Sequence, residues 1–261
     1  MFNNSKNIVI KIGGSTLGNH DTTIEDVVEL QKRHIPLIIV HGGGKLITEW
    51  LNRMGIKASF INGERVTDIP TLEIATGVLT GVVNKEIVTA ITGKGGKAFG
   101  ISGADGGLIC SEIKNPELGY VGHIVKIQPE PLHLLLQAGY IPVIATIGLN
   151  YRATGNEPRL LNINADDVAG ILAVAMRSEK LVFLTDVDGV RSTEGKIISS
   201  LSPDEAENLI KSGVASGGMI PKLNACIKAA RNNIRACIID GRKPHSLLRY
   251  LEGAPSGTVI E

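Results

Sequence analysis

Two stretches put chemistry-bearing residues directly behind apolar runs. Ile8–Gly18 reads IVIKIGGSTLG, with Lys11 just ahead of Gly13 and Gly14. Leu37–Trp50 reads LIIVHGGGKLITEW, with Gly42, Gly43 and Gly44 between His41 and Lys45. Glycine lets the backbone approach a ligand closely, and successive N–H groups backed by a helix N-terminus form a cradle for phosphate or carboxylate oxygens. Two such sets at two strand ends predict an anion held between two loops. The better-known phosphate patterns do not fit. GGGKL puts Leu46 where a Walker-type loop needs a hydroxyl, and no Gly-x-Gly-x-x-Gly follows a strand. DVDGV at Asp186–Val190 resembles the start of a calcium loop but lacks the third ligand and the distal glutamate.

Three further stretches carry candidate site residues. RLLNINADDVAGILA (Arg159–Ala173) gathers Asn162, Asn164, Asp166 and Asp167 where an extended run enters a helix. Capping accounts for Asn164, and the helix dipole favours the two acids in the first turn. It leaves Asn162 unexplained, two residues earlier and on the same strand face. SGGMIPKLNACIKAA (Ser216–Ala230) has Pro221 in a first helical turn and Lys222 just after it. A lysine there opposes the dipole, a cost that an anionic ligand would offset; a solvated surface lysine is the plain alternative. NGERVTD (Asn62–Asp68) offers Arg65, whose guanidinium forks onto carboxylates, or which is simply a surface charge. His41 has no serine or cysteine nucleophile pattern beside it and reads as a structural hydrogen-bonding residue.

The elements that must position these residues alternate. Ile8–Ile12, Leu37–Val40, Ile141–Ala145, Leu181–Thr185 and Ala236–Ile239 are continuous apolar runs of the kind found in parallel strands covered on both faces. Helical patterns lie between them at Thr22–His34, Gly44–Met54, Thr71–Thr92, Ala165–Ala175, Pro203–Ser212 and Leu223–Asn232. The alternation predicts an α/β sandwich with a mostly parallel central sheet and right-handed crossovers. Ala98–Gln128 and Ile147–Leu161 are turn-rich and are expected to form hairpins over the sheet. A polar break near Arg177–Lys180 marks a soft boundary.

Bulk composition limits the options. The 261 residues suffice for one large α/β domain with a full core. A formal net charge of +1 gives no charge-based reason to expect nucleic acid or an acidic membrane as partner. No apolar run reads as long enough to span a bilayer, and the N-terminus lacks a signal layout, so a cytoplasmic protein is expected. Cys110, Cys226 and Cys237 are scattered and odd in number, which suits small buried hydrophobes in a reducing compartment.

Taken in order, KIGGS, VHGGGK, NGERVTD, LLNINADDVAG, LVFLTDVDGV and GGMIPKLNA resemble the amino acid kinase family over essentially the whole chain. GERVTD with NINAD resembles the branch of that family that phosphorylates acetylated glutamate. The resemblance implies a three-layer αβα sandwich, with residues 1–176 forming an acceptor-binding and dimerisation lobe and 177–261 a nucleotide-binding lobe. It implies transfer of the γ-phosphoryl group of ATP to the γ-carboxylate of N-acetyl-L-glutamate, an early step of arginine biosynthesis, with Mg²⁺ carried on the nucleotide and no dedicated metal cage. Lys11 and Lys222 would neutralise the migrating phosphoryl group, and Asp166 would hold both lysines. Gly13, Gly14 and Gly44 would meet phosphate oxygens. Gly43, Gly44, Arg65, Asn162 and Asn164 would seat the acceptor. Asp186, Val187, Asp188, Gly189, Val190, Arg191, Val214, Ala215 and Ser216 would line the nucleotide site. The acceptor carboxylate is already ionised at neutral pH, its pKa being near ~4.3, so no general base is required. A glutamate or carbamate kinase, an aminoadipate-type acceptor, or a non-catalytic metabolite sensor are the rival readings.

The same resemblance implies a homodimer without strong arginine feedback, since strand one begins by about Asn7. Some relatives bind a nitrogen-signalling protein, for which no docking surface is legible. Tyr151, Arg152 and Pro158 depart from the short hairpin of many relatives, which leaves the acceptor lid, expected within 98–128 and 147–161, less defined.

Overall fold

The computed structural model describes residues 6–13, 22–254 and 256–261; Gly14 and Ser15 of the first glycine stretch lie outside them. The first half runs β1 (Ile8–Ile12), α1 (Thr23–Lys32), β2 (Leu37–His41), α2 (Gly44–Arg53), β3 (Phe60–Ile61), β4 (Glu64–Arg65), α3 (Ile69–Thr76), a π-helical segment (Gly77–Val83) and α4 (Asn84–Gly93). Next come β5 (Ala98–Ser102), β6 (Ile109–Ile113), β7 (Val121–Ile127), α5 (Glu130–Gln137), β8 (Ile141–Ala145), β9 (Ile147–Asn150) and β10 (Leu160–Ile163). The remainder is α6 (Ala165–Ala175), β11 (Lys180–Thr185), β12 (Ser200–Leu201), α7 (Pro203–Lys211), α8 (Met219–Ala230), β13 (Arg235–Asp240), α9 (Ser246–Leu251) and β14 (Thr258–Ile260).

An eight-stranded sheet in the order β12-β14-β13-β11-β1-β2-β8-β5 forms the middle layer. The six strands from β13 to β5 run parallel; β14 turns antiparallel to β13. β1 therefore sits between β2, which follows it, and β11, which comes much later. In such sheets ligands lie beyond the carboxyl ends of the strands at the point where the winding reverses.

All five residues of β1 are buried, and its side chains alternate between two cores. Ile8, Ile10 and Ile12 join the core under α1, α2, α3, α4 and α9. Val9 joins the core under α6 and α8. Lys11 shares the face of Val9, so the strand's alternation aims it at α6. Each fully buried Ile or Leu contributes about 1.5–3 kcal/mol by area, so this register is strongly held.

The layered sandwich matches the expectation from the strand–helix alternation, with differences. Ala98–Ser102 is not part of a hairpin: it is β5, the edge strand of the main sheet. The rest of that turn-rich region pairs with 147–163 in a small closed barrel, β10-β7-β6-β9. The helix expected at Leu223–Asn232 begins earlier, at Met219, which puts Lys222 in its first turns. The expectation that no apolar run reaches spanning length also needs correcting. The continuous helix Ile69–Gly93 is long and apolar enough to cross a membrane by length and composition. Leu72, Ala75, Val78, Leu79, Val83, Ile87 and Ile91 of this helix are buried.

Candidate functional site

A cavity of about 380 Å³ opens beyond the carboxyl ends of β1 and β2. Lys11, Asp166 and Lys222 line one end of it, and Gly43, Gly44 and Arg65 the other. Asn162 and Asn164 form part of its wall.

Asp166 is the hinge of the charged end. Asn164 caps α6 with its Oδ1, which accepts from the backbone N–H of Asp166 at 2.8 Å and of Asp167 at 3.4 Å. That fixes Asp166 in the first turn, 5% exposed. Lys11 Nζ lies 2.8 Å from its Oδ1, and Lys222 Nζ donates to its Oδ2 at 3.1 Å. Burial pushes the Asp166 carboxyl up, but attraction to Lys11 and Lys222 outweighs it and the net direction is down. One carboxylate thus faces two ammonium groups. The trio carries a net positive charge at the cavity wall, which favours the approach of an anion.

Lys222 Nζ also donates to the carbonyl of Gly218, four residues earlier, at 3.1 Å. The side chain folds back over the first turn of α8 and delivers its charge against the dipole.

At the other end the second glycine stretch forms the entry of α2. Gly43 is the N-cap residue (φ −172°, ψ 27°), and the first amides of α2 have no intrahelical acceptors. A Cβ on Gly43 would come within 2.9 Å of Leu79 and 3.2 Å of Val83, whereas one on Gly44 would meet nothing within 4 Å. The π-helical segment is packed against this loop, and only a bare backbone fits between. His41 sits beneath, fully buried. Its Nδ1 lies 3.2 Å from the carbonyl of Gly42 and its Nε2 3.1 Å from the Asn84 side-chain amide nitrogen, a pairing that suits an Nδ1–H tautomer. Burial lowers its pKa to about 4, so it is a neutral support at pH 7.

Arg65 is 8% exposed on the β3–β4 hairpin, with its guanidinium 4.8 Å from the centre of the Phe60 ring. Nη2 donates to the carbonyl of Gly44 and to Thr48 Oγ1, both at 2.8 Å. Nη1 is buried without a hydrogen-bond partner among the described residues. Burial lowers the Arg65 pKa, yet a guanidinium remains charged at neutral pH. Arg65 lines the cavity, and a largely buried guanidinium there is a cation suited to an anionic ligand. Asn162 donates to Thr67 Oγ1 at 3.2 Å, which ties β10 to the residues after the hairpin.

Other expected residues lie elsewhere. Gly13 donates its N–H to the carbonyl of Leu184 at 3.2 Å, so that amide closes the sheet instead of standing free for phosphate. Asp186, Val187, Asp188, Gly189, Val190 and Arg191 follow β11 at its carboxyl end. Val190 is buried and donates its N–H to Thr258 Oγ1; Asp188 pairs with Lys243 at 2.8 Å. Val214, Ala215 and Ser216 join α7 to α8, and Ala215 is buried. None of these nine residues lines the cavity. Among the described residues, no group of three or more His, Cys, Asp or Glu side chains converges as a metal site. Thr48, Phe60 and Thr67, which support Arg65 and Asn162, escaped sequence reasoning; only Thr48, one turn into the helix after Gly44, had a positional signal.

A doubly wound sheet with a two-lysine centre and a glycine cradle at its reversal point defines a protein that brings two anions together. The chain belongs to the amino acid kinase family, which it matches over residues 6–240. It is 44% identical over 255 residues to the acetylglutamate kinase of Dehalococcoides mccartyi strain ATCC BAA-2100, covering 97% of this chain and 93% of that one. It is 46% identical to the acetylglutamate kinase of Methanothrix thermoacetophila, covering 97% and 91%. Among solved structures it is similar to smu.665 from Streptococcus mutans UA159, with a TM-score of 0.83 at 26% identity and 97% of each chain covered.

Proposed function

We propose that this chain phosphorylates the γ-carboxylate of N-acetyl-L-glutamate with ATP, in the service of arginine biosynthesis. The observation that carries the reading is the presence, in the lining of one cavity, of a two-lysine centre on Asp166 and the largely buried guanidinium of Arg65. Arg65 and Asn162 would hold the acceptor, and the amides after Gly43 would receive phosphate or carboxylate oxygens. The transferring group would lie against Lys11 and Lys222.

In this reading the acceptor's carboxylate oxygen attacks the γ-phosphorus. The bond to the β–γ bridging oxygen breaks, and ADP leaves with that electron pair. No proton need move, which suits a site whose buried histidine is neutral and held by structural partners. The obstacle is repulsion between two anions, and fixed cations aimed at the transferring oxygens are what lowers it. Mg²⁺ would supply further charge neutralisation, bound through the nucleotide's phosphates. Residues 1–176 would hold the acceptor, and 177–261 the nucleotide, with Asp186–Arg191 and 214–216 nearest its base and ribose. A homodimer in the cytoplasm belongs to the same reading. The exposed edge strand β5, with Phe99 packed edge-on against Tyr140, supports a second copy there, and the three buried free cysteines suit a reducing compartment.

The test is ADP release by the purified chain with N-acetylglutamate, glutamate, aspartate and N-acetylaminoadipate. Turnover highest with N-acetylglutamate supports the reading. Preference for glutamate moves it to another amino acid kinase, and ligand binding without ADP release moves it to a sensor.

A further inference from the structure

The β3–β4 hairpin has strands of two residues each and turns on Asn62 and Gly63, both at positive φ. Such a hairpin has little stability of its own, yet it carries Arg65. On the cavity side it is held by the contacts of Arg65 to α2. On the other side the backbone bridge of Thr67 to Gly119 follows the hairpin, and one cation grips the hairpin itself. Lys114, which follows β6, donates from Nζ to Glu64 Oε1 at 3.0 Å and stands 2.9 Å from Oε2. The same Nζ is 3.8 Å from Asp167 Oδ2 in the first turn of α6. The backbone of Lys114 is itself fixed, its N–H donating to the carbonyl of Val121, a cavity residue.

Glu64 lines the cavity and neighbours Arg65 in sequence; Asp167 neighbours Asp166. Glu64 therefore borders a site that must admit an anion, Asp167 stands just outside the cavity lining, and Lys114 is the cation between them. Resting on the reading of the site as an acceptor pocket, we propose that Lys114 is a positioning residue. It clamps the Arg65-bearing hairpin to the barrel and to α6, and it cancels the repulsion of Glu64 toward the incoming acceptor. Without it the hairpin keeps the Arg65 contacts and the backbone bridge of Thr67 to Gly119, and the uncompensated carboxylate of Glu64 faces the cavity.

The experiment compares Lys114→Gln, Lys114→Arg, Glu64→Gln and the double variant Lys114→Gln/Glu64→Gln in the full chain. KM for each substrate and kcat are measured, together with hydrogen exchange of peptides covering 57–68. Lys114→Gln is expected to raise the acceptor KM about fivefold, the scale of a half-exposed ion pair, with the KM for ATP unchanged and faster exchange in 57–68. Lys114→Arg should behave as wild type. Glu64→Gln in the Lys114→Gln background should recover most of the acceptor KM, because it removes a repelling acid; a purely structural role would not be rescued that way. An unchanged acceptor KM, or equal rises in both KM values, overturns the proposal. If the wild type prefers another carboxylate, the acceptor assignment fails while the same ratios with that carboxylate still judge the clamp. If the wild type transfers no phosphoryl group, exchange in 57–68 decides, and unaltered exchange in Lys114→Gln refutes the clamp.

Discussion

Lys11 and Lys222 approach different oxygens of one carboxylate, Asp166, at 2.8 and 3.1 Å. One lysine comes from the central strand and the other from a helix near the end of the chain, so the contact closes the fold as well as the site. In the free protein Asp166 keeps both ammonium groups ordered. Each retains N–H capacity for an incoming oxygen, since an ammonium has three donors. Lys11→Ala and Lys222→Ala should each lower kcat by about 10²–10³-fold, the usual cost of one transition-state donor. Steady-state assays with saturating substrates check this. Near-full turnover in either variant removes that lysine from the chemistry.

Arg65 should be irreplaceable by lysine. Its Nη2 is tied to Gly44 and Thr48 while the guanidinium lines the cavity. An ammonium cannot keep that fork geometry. Arg65→Lys is expected to raise the acceptor KM by about tenfold or more, in line with the loss of a charge-assisted hydrogen bond. Titration calorimetry with N-acetylglutamate would register the same weakening, and equal affinities would contradict the assignment.

The neighbouring glycines should separate folding from binding. In Gly43→Ala the new methyl meets Leu79 and Val83, and overpacking of that kind costs about 1–3 kcal/mol. Gly44→Ala points into open space and should melt as wild type while binding ligand less well. Thermal melts of the two variants, with and without ligand, read both effects. Shortening the contact in Gly43→Ala/Leu79→Val should restore part of the lost stability.

Much of this was legible in the chain. The apolar runs of β1 and β8 are found at the residues expected, because strands buried on both faces need uninterrupted Ile and Val. Lys222 stood out because its charge opposes a helix dipole, and Asn164 because a capping side chain must sit just before its helix. Lys114 gave no local signal: its partner Glu64 is 50 residues away, and the barrel that brings them together is built from short strands with weak patterns. The six-residue α9 was missed for a related reason. It starts from His245 in a left-handed conformation, without a capping side chain to announce it.

Two histidines should shape the stability profile in opposite ways. His245 Nδ1 lies 2.7 Å from buried Asp26, and that hydrogen bond raises the His245 pKa above 6.5, with smaller help from Glu25. A raised folded pKa means its contribution is complete below the unfolded value and fades as pH rises through the folded one. His41 is the reverse. Burial depresses it from 6.5 to about 4, so stability falls as pH drops across that interval and the unfolded chain takes up the proton. Urea midpoints between pH 4 and 9 should show both slopes. His245→Gln should flatten the alkaline one and leave the acidic one intact.

The unusual 151–159 loop should prove irrelevant to the acceptor. Tyr151, Arg152 and Pro158 depart from the common hairpin, and the sequence alone points this departure at the acceptor lid. The strands place it differently. β9 leaves the cavity at Thr146, and β10 returns to it at Asn162, so the loop between them caps the far end of the barrel. There Tyr151 is exposed, Arg152 pairs with Glu112 at 2.7 Å, and Asn150 donates to the carbonyl of Pro158 at 2.9 Å. None of the three residues touches the cavity. Tyr151→Ser and Arg152→Ala should therefore leave the acceptor KM and the order of acceptor preference unchanged, and surface substitutions of this kind should move stability by no more than about 0.5 kcal/mol. A change in preference among N-acetylglutamate, glutamate and N-acetylaminoadipate would mean that the loop reaches the acceptor in the loaded protein.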